Sequence, residues 1–423
     1  MNKKLVLILG AGASTPFLKT EKESLTTQYL TDELLRSQNW RQVITILNNY
    51  KNKRNNSSTF LDNIALEDIF FLLNRIKATL IKRRFNFETL VYFLDKVCDF
   101  LSAQHESEYG NIDDYFFDFW IKIEKQYLHK LFDNSDPDGW NYTPFLAREV
   151  IINAILQMWK NSLYKKEGIT LYKAFLTTLC NSFSSVNIYS LNYDPLLYES
   201  IKENNFSTGF EKDNKFNPVL FFKSLNTIAF LHGHVGFGFE NGSIILNDNY
   251  DKIKENRIKH IVENGCIEIG MKGTHYDSYF ITGLDKINGF SNLPFSAYLH
   301  KLGKDIIESD CIIMAGISLN DYHVNIFLSN ALAVSNKEIV FVTKDDVKHI
   351  INSFKKGTDS TTIRLWTLTR DYATNLGEVS FGDYLEKIND SFQRNGFAKI
   401  TNNIKIYIKG FEEFIKESNK LIS

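Results

Sequence analysis

The sequence predicts an α/β fold: a Rossmann-like parallel sheet flanked by helices, with a large helical insertion after the first strand. Short runs of consecutive apolar residues are typical of strands that are buried on both faces. Four such runs occur, at residues 5–9, 186–191, 227–231 and 311–315. From about residue 170 they alternate with helical stretches, whereas apolar residues between about 20 and 170 recur at helical spacing.

The remaining elements follow from the same patterns in chain order. After the first strand and its glycine turn, helical periodicity predicts the helices of the insertion at 66–80, 90–101, 115–132 and 145–163. The run at 311–315 leads into a helix at 322–333 and a strand at 338–343. Weaker patterns predict a strand at 361–368, a helix at 381–392 and a mixed Lys/Glu amphipathic tail at 404–422. We therefore expect one domain over residues 1–345, with the insertion at about 20–170, and a C-terminal α/β extension over 346–423.

The composition is that of a folded protein and does not favour a polyanionic partner. The chain has 423 residues, of which 43% are hydrophobic, and this is enough for substantial buried cores. Its 49 lysines and arginines are matched by 50 aspartates and glutamates, for a net charge of −1. This balance gives no strong nucleic-acid signal.

The cysteines and the apolar segments predict a cytoplasmic protein. The cysteines are Cys98, Cys180, Cys266 and Cys311. They are far apart and form no CxxC pair, so we expect reduced core residues rather than a zinc ribbon or a disulfide framework. A secretion signal ending near Ala13 would be shorter than about 15 residues, and a buried first strand explains the same letters. No segment approaches the roughly 20 apolar residues that cross a bilayer, and we expect no membrane association.

Each of the four apolar runs ends in a small or polar cluster, and in open parallel sheets the ligand lies beyond the carboxyl ends of the strands. The first cluster is Gly10-Ala11-Gly12-Ala13-Ser14, whose glycines would let the backbone approach a pyrophosphate. A full dinucleotide fingerprint would place a third glycine at Thr15, with an acidic residue about 20 positions later, so an ordinary dehydrogenase site is disfavoured. The alternative is a tight turn without a ligand.

The second and fourth clusters offer groups for a nucleotide. Asn192-Tyr193-Asp194-Pro195 places an amide and a carboxylate at a strand tip, where they can hold ribose hydroxyls, a carboxamide or a water. A simple turn is the alternative, because Asn and Asp are common in turns. Gly316-Ile317-Ser318 has small residues that would admit the adenosine half of a dinucleotide, and its serine hydroxyl would reach phosphate or ribose.

The third cluster, His232-Gly233-His234, offers a base or a metal ligand. Alternate residues of an extended segment face the same way, which would suit a metal ion. No HExxH, CxxC or nearby carboxylate cluster completes a coordination shell, so we expect no metal. Because imidazole titrates near neutral pH, we expect His232 to act as a general base. A histidine with its polar atoms satisfied in the core is the alternative.

Together and in this order, the four clusters resemble the sirtuin family. The resemblance rests on GAGAS at 10–14, the Asn-x-Asp element of SLNYD at 190–194, LHG at 231–233 and GIS at 316–318. It covers about residues 1–20 and 170–345. It implies that residues 1–345 form a sirtuin-like catalytic domain that binds NAD as substrate and breaks its bond between nicotinamide and ribose.

The resemblance also implies roles for single residues. The predicted phosphate contacts are Gly10, Ala11, Gly12 and Ser14. The predicted adenosine contacts are Gly316 and Ser318. At the nicotinamide end, Asn192 would orient the ribose or the attacking water, Asp194 would hold the carboxamide, and His232 would be the base.

Deacetylase sirtuins carry a four-cysteine zinc module and a Pro-Asp-Phe-Arg segment, and this chain has neither. It resembles instead the zinc-less sirtuin-like NAD hydrolases of bacterial antiviral systems. That resemblance implies an antiphage effector that depletes cellular NAD on activation and works as a homo-oligomer. It also implies a separate activating subunit, such as a HerA-like ATPase or another sensor. The alternatives are a module that senses an NAD-derived nucleotide without turnover and an ADP-ribosyltransferase.

Overall fold

A computed structural model describes part of the chain. The residues described are 3–19, 30–31, 86–92, 94–95, 148, 151–156, 164–201, 205–240, 243–253, 257, 280–282, 290, 292–334, 337–344, 397–399 and 403–421.

Nine strands form in this part of the chain. They are β1 (Lys4–Leu9), β2 (Ser185–Ser190), β3 (Thr227–Phe230), β4 (Phe237–Glu240), β5 (Ser243–Leu246), β6 (Cys311–Ala315), β7 (Glu338–Val342), β8 (Phe397–Lys399) and β9 (Ile404–Tyr407). Seven of them make the main sheet, and β4 and β5 pair separately as an antiparallel hairpin. The four predicted runs become β1, β2, β3 and β6, with ends that differ from the prediction by one residue or not at all.

The main sheet has the order β3-β2-β1-β6-β7-β9-β8, and all neighbouring pairs are parallel except β8 with β9. Counted along the chain, the six parallel strands lie in the order 3-2-1-4-5-6, which is the order of the Rossmann fold. The predicted Rossmann-like parallel sheet is therefore confirmed. The strand order reverses between β1 and β6, and in this class of sheet the ligand crevice opens at that point.

Helices cover the sheet. They are α1 (Ala11–Ser14), continued by a 3-10 turn at Thr15–Phe17, α2 (Lys166–Ser182), α3 (Leu196–Ile201), α4 (Pro218–Lys223), α5 (Phe295–Glu308), α6 (Tyr322–Val334) and α7 (Phe411–Leu421). Helix α2 packs on α7 through edge-to-face contacts of Phe175 with Phe411 and Phe414, at centroid distances of 5.7 and 6.2 Å. The predicted helix at 322–333 is α6, with one further residue at its end.

The central strand β1 shows why unbroken apolar runs predicted this sheet. Leu5, Val6, Leu7 and Ile8 are all fully buried, which is possible only when both faces of the sheet are covered. Complete burial of such a side chain contributes about 1.5–3 kcal/mol of transfer free energy. The alternation expected of a half-exposed strand is absent from β1 for the same reason.

The C-terminal residues complete the main sheet. Strand β9 pairs in parallel with β7, with Ile404 opposite Ile339. The prediction of one amphipathic tail at 404–422 is therefore wrong for its first part, and the helix begins only at Phe411. The predicted boundary at residue 345 separates residues that share one sheet. The predicted strand at 361–368 and helix at 381–392 lie outside the described residues.

The insertion is described only in pieces. Residues 87–92, 94–95 and 151–156 are helical, in keeping with the helical periodicity of this region. The predicted helices at 66–80 and 115–132 lie outside the described residues, so the insertion as a whole stays a prediction.

Candidate functional site

A cleft of about 570 Å³ opens where the strand order reverses. This volume is within the range of roughly 300–1,000 Å³ that is usual for small-molecule sites. All four sequence clusters contribute to its wall. The predicted site residues on the wall are Gly10, Ala11, Gly12, Asn192, Asp194, His232, Gly316 and Ser318. The remaining predicted residue, Ser14, is 3% exposed and does not belong to the wall.

The two glycine turns pack directly against each other. The amide of Gly10 donates to the Ala315 carbonyl at 2.9 Å, and the amide of Gly12 donates to the Gly316 carbonyl at 3.1 Å. A Cβ atom at Gly10 would lie 2.5 Å from the Gly316 oxygen. At Gly316, where φ is +64°, a Cβ atom would lie 2.1 Å from the Ala13 nitrogen. The packing of the two turns therefore requires glycine at these positions whether or not a ligand binds. The predicted contacts of the glycines with NAD remain predictions.

Asn192 is fixed behind the first glycine turn by its own side chain. Its Nδ2 donates to the Gly10 carbonyl at 2.9 Å and to Ser14 Oγ at 3.0 Å. Because a carbonyl oxygen can only accept, the first contact settles which end of the amide is nitrogen. The Oδ1 atom therefore remains for a ligand. Ser14 contributes here by orienting Asn192, a role that its place in the sequence does not reveal.

Asp194 is a buried carboxylate with one oxygen engaged. Oδ1 accepts from the Leu196 amide at 3.0 Å, whereas Oδ2 has no partner at hydrogen-bond distance and geometry within the described part of the chain. Burial raises the pKa of the Asp194 carboxyl above its ordinary value, although the nearby hydroxyls of Tyr164 and Ser14 act in the opposite direction.

His232 lies at the cleft, and His234 does not. His232 is held by its carbonyl, which accepts from the Ile281 amide at 2.8 Å. His234 is fully buried, and its Nδ1 accepts from the Gly236 amide at 3.0 Å. Burial and the charge of Arg257 lower the pKa of His234 to about 3. Because Gly233 has a φ of +100°, the chain is not extended here, and the two imidazoles do not form the metal pair that their spacing allowed.

Two further residues reach His232 from the start of α6. His323 Nε2 lies 3.2 Å from His232 Nε2, and Asp321 Oδ1 lies 3.5 Å from the same atom. Neither residue had a predicted role. The rule that polar residues after a strand face the ligand would have indicated them, because both follow β6 within a few positions. The sequence around the His-Gly-His cluster has no carboxylate cluster, and in the folded protein Asp321 brings a carboxylate to His232.

Charge on the described wall is uneven. The carboxylates of Glu88, Asp194 and Asp321 all belong to it, whereas Lys344 is its only lysine or arginine. Lys344 follows strand β7, next to Thr343 on the wall; β7 pairs with β6, which precedes Asp321, and is separated by β6 and β1 from β2, which precedes Asp194. The described wall of the cleft therefore carries three carboxylates, which would attract a cation, and one lysine, which would attract an anion.

Comparison of the sequence with models of known protein families, and with curated proteins, finds no significant match. The resemblance to sirtuins therefore remains an inference from the four sequence clusters. Among the described residues, no helix combines the length and the apolar character needed to cross a bilayer.

Proposed function

We propose that the protein is an NAD+ hydrolase that cleaves NAD+ with water to nicotinamide and ADP-ribose. The observation that supports this most directly is the meeting of Asn192 and His232 at one cleft, at the point where the order of the parallel strands reverses. Small-molecule ligands of this fold class bind at that position. The order of the four clusters supplies the choice of NAD over other nucleotides.

The charges on the wall suit cleavage of an N-glycosidic bond. As that bond breaks, positive charge develops on the ribose, and nearby carboxylates lower the energy of such a transition state. Asp321 and Asp194 both lie on the same wall as His232. Asp194 belongs to the cleft wall, and its carboxyl group would accept a hydrogen bond from the nicotinamide carboxamide.

The proposed mechanism uses the side-chain amide of Asn192 and the imidazole of His232. Asn192 presents Oδ1, because both hydrogens of its Nδ2 are used by Gly10 and Ser14, and this acceptor orients the attacking water or a ribose hydroxyl. His232 accepts the proton that is released when the water or hydroxyl reacts. The nicotinamide leaves with the electron pair of the broken bond, so no proton is needed on the leaving group.

Nicotinamide release from NAD+ by the purified protein tests this proposal. We expect His232→Ala and Asn192→Ala each to lower the rate by about 10²- to 10⁴-fold, which is the usual contribution of a general base or an orienting group. His300→Ala is the matched control, because His300 is exposed on α5. The same series is repeated with the product of the neighbouring gene, since the proposed antiphage effector acts as a homo-oligomer with an activating subunit.

Three outcomes discriminate between the functions. Release that both site variants lose and the control keeps supports the hydrolase. Stoichiometric NAD+ binding without release, with and without the second protein, would replace it by a sensing module. ADP-ribose recovered on a protein or nucleic acid instead of in solution would indicate a transferase.

A further inference from the structure

We propose that a transition-metal ion, Zn²⁺ being the best fit, binds between His232, Asp321 and His323 and inhibits the enzyme. The ligand atoms of these three side chains all lie within 4.8 Å of one another. Ligands bound tetrahedrally at about 2.0–2.1 Å lie roughly 3.3 Å apart. The separations from His232 Nε2, 3.2 Å to His323 Nε2 and 3.5 Å to Asp321 Oδ1, are close to that value, and the remaining pair, Asp321 and His323, lies within 4.8 Å.

The chemistry of the three ligands selects the class of metal. Two imidazoles and one carboxylate are a ligand set of zinc enzymes in which a further position stays open. Mg²⁺ and Ca²⁺ prefer oxygen ligands only, and they would not gain from the two histidines. His232 and His323 are 3% and 4% exposed, so little water competes for the ligand atoms.

The backbone already holds the ligands in place. The carbonyl of Asp321 accepts from the amides of Val324 and Asn325, both at 3.0 Å. The Asn325 side chain donates to the Leu319 carbonyl at 2.8 Å and so closes the loop before α6. The ring of His323 packs against Phe290 at 4.8 Å. These contacts fix the backbone at the start of α6 without an ion.

Metal binding and base catalysis by His232 exclude each other. A ring whose Nε2 binds a metal carries its proton on Nδ1 and has no lone pair left to accept another. Asp321 and His232 both belong to the cleft wall, so the open coordination position lies on the cleft side. The ion would thus keep the hydrolase inactive until it is removed. The inhibitory part of this inference rests on the proposed function, and the binding part does not.

Binding is tested first, by adding Co²⁺ as a spectroscopic probe and then Zn²⁺ as a competitor to the metal-free protein. We expect one equivalent of Co²⁺ with the visible bands of a four- or five-coordinate site and without the charge-transfer bands of thiolate ligands. His323→Ala and the isosteric Asp321→Asn should each weaken binding by at least about 10- to 100-fold, the loss known even for residues that only support a ligand. His300→Ala should bind as the wild type does, and thermal unfolding checks that each variant is folded.

Inhibition is tested by following nicotinamide release in the same samples. Zn²⁺ should stop release by the wild type, a chelator should restore it, and the residual activity of His323→Ala should be insensitive to Zn²⁺. A protein that binds neither metal, or that binds them equally well after both substitutions, would overturn the site and leave the rings joined by a plain hydrogen bond. Binding at these residues without inhibition would overturn the regulatory role. Metal binding without any NAD+ hydrolysis by the metal-free protein, with and without the product of the neighbouring gene, would refute the proposed function and leave the metal site standing.

Discussion

Replacing Gly316 by alanine probes the contact between the two glycine turns. At this position φ is +64°, and an added Cβ atom would lie 2.1 Å from the backbone nitrogen of Ala13. Gly410 offers a matched control, because its φ is +88° but the nearest atom to an added Cβ is a Lys344 side-chain carbon at 3.4 Å. Both substitutions strain the backbone, and only the first drives one backbone segment into another.

The expected magnitudes follow from these two differences. A non-glycine residue in the left-handed region costs about 1–2 kcal/mol, and this should be nearly the whole effect of Gly410→Ala. Overpacking adds about 1–3 kcal/mol, so Gly316→Ala should cost roughly 2–5 kcal/mol in total. For a chain of this length, each kcal/mol lowers the melting temperature by about 1 °C. Because the clash displaces Gly12 and Ala13, NAD+ binding should weaken as well.

Thermal unfolding and NAD+ titration of the two variants measure both effects. The melting temperature of Gly316→Ala should fall about 1–3 °C further than that of Gly410→Ala. Equal melting temperatures, with NAD+ bound as tightly as by the wild type, would falsify the described packing of the turns.

Three further predictions concern the cleft and its surroundings. Asn192→Asp removes the two N–H donors to Gly10 and Ser14, so it should lower the free energy of unfolding by about 1–3 kcal/mol. It should also abolish most nicotinamide release, and a fully active variant would contradict the role of Asn192. Lys344→Glu should raise the KM for NAD+ by about 10-fold or more, because the phosphates of NAD+ are anionic and Lys344 is the only lysine or arginine on the described wall. Lys223→Glu, at an exposed position of helix α4, should leave the KM unchanged. The pKa of His234 is lowered from 6.5 to about 3 in the folded protein. Below pH 6.5 the unfolded chain therefore takes up a proton at this residue, whereas the folded protein takes it up only near pH 3. The free energy of unfolding should fall between these two pH values by about 4–5 kcal/mol in total. His234→Asn, which keeps an acceptor for the Gly236 amide, should flatten this acid loss in denaturation experiments, and an unchanged pH profile would place its cause elsewhere.

The sequence predicted β1, β2, β3, β6 and β7 because the burial of these strands is expressed in their residues, whereas β4, β5, β8 and β9 were not predicted. Leu5 to Ile8 are covered on both faces, and only an unbroken apolar run satisfies such a position. Strand β9 was missed for the opposite reason. Its Lys405 is half-buried between buried Ile404 and Ile406, and this mixed pattern merges with the amphipathic helix that follows it.

The site was predicted in part. Strand ends that lie far apart in the chain meet in one cleft, and this follows from the topology of parallel sheets, so Asn192 and His232 could be identified in advance. Side-chain partners could not. The contact between His232 and His323 spans 91 positions, and the inward direction of Ser14 depends on Asn192. The sequence predicts a ligand at the glycines, whereas the packing of the two turns against each other already requires them.

The cleft wall draws on residues from Gly10 through Phe411. Phe411 opens α7 and contacts Tyr172 at 5.7 Å, and the hydroxyl of Tyr172 donates at 3.3 Å to the carbonyl of Ala13 in the first turn. During synthesis, strand β1, Asn192 and His232 are therefore made before the cleft wall is complete. The last part of this wall is absent until residue 411 has emerged and folded onto the sheet, so no shorter translation product carries the complete site.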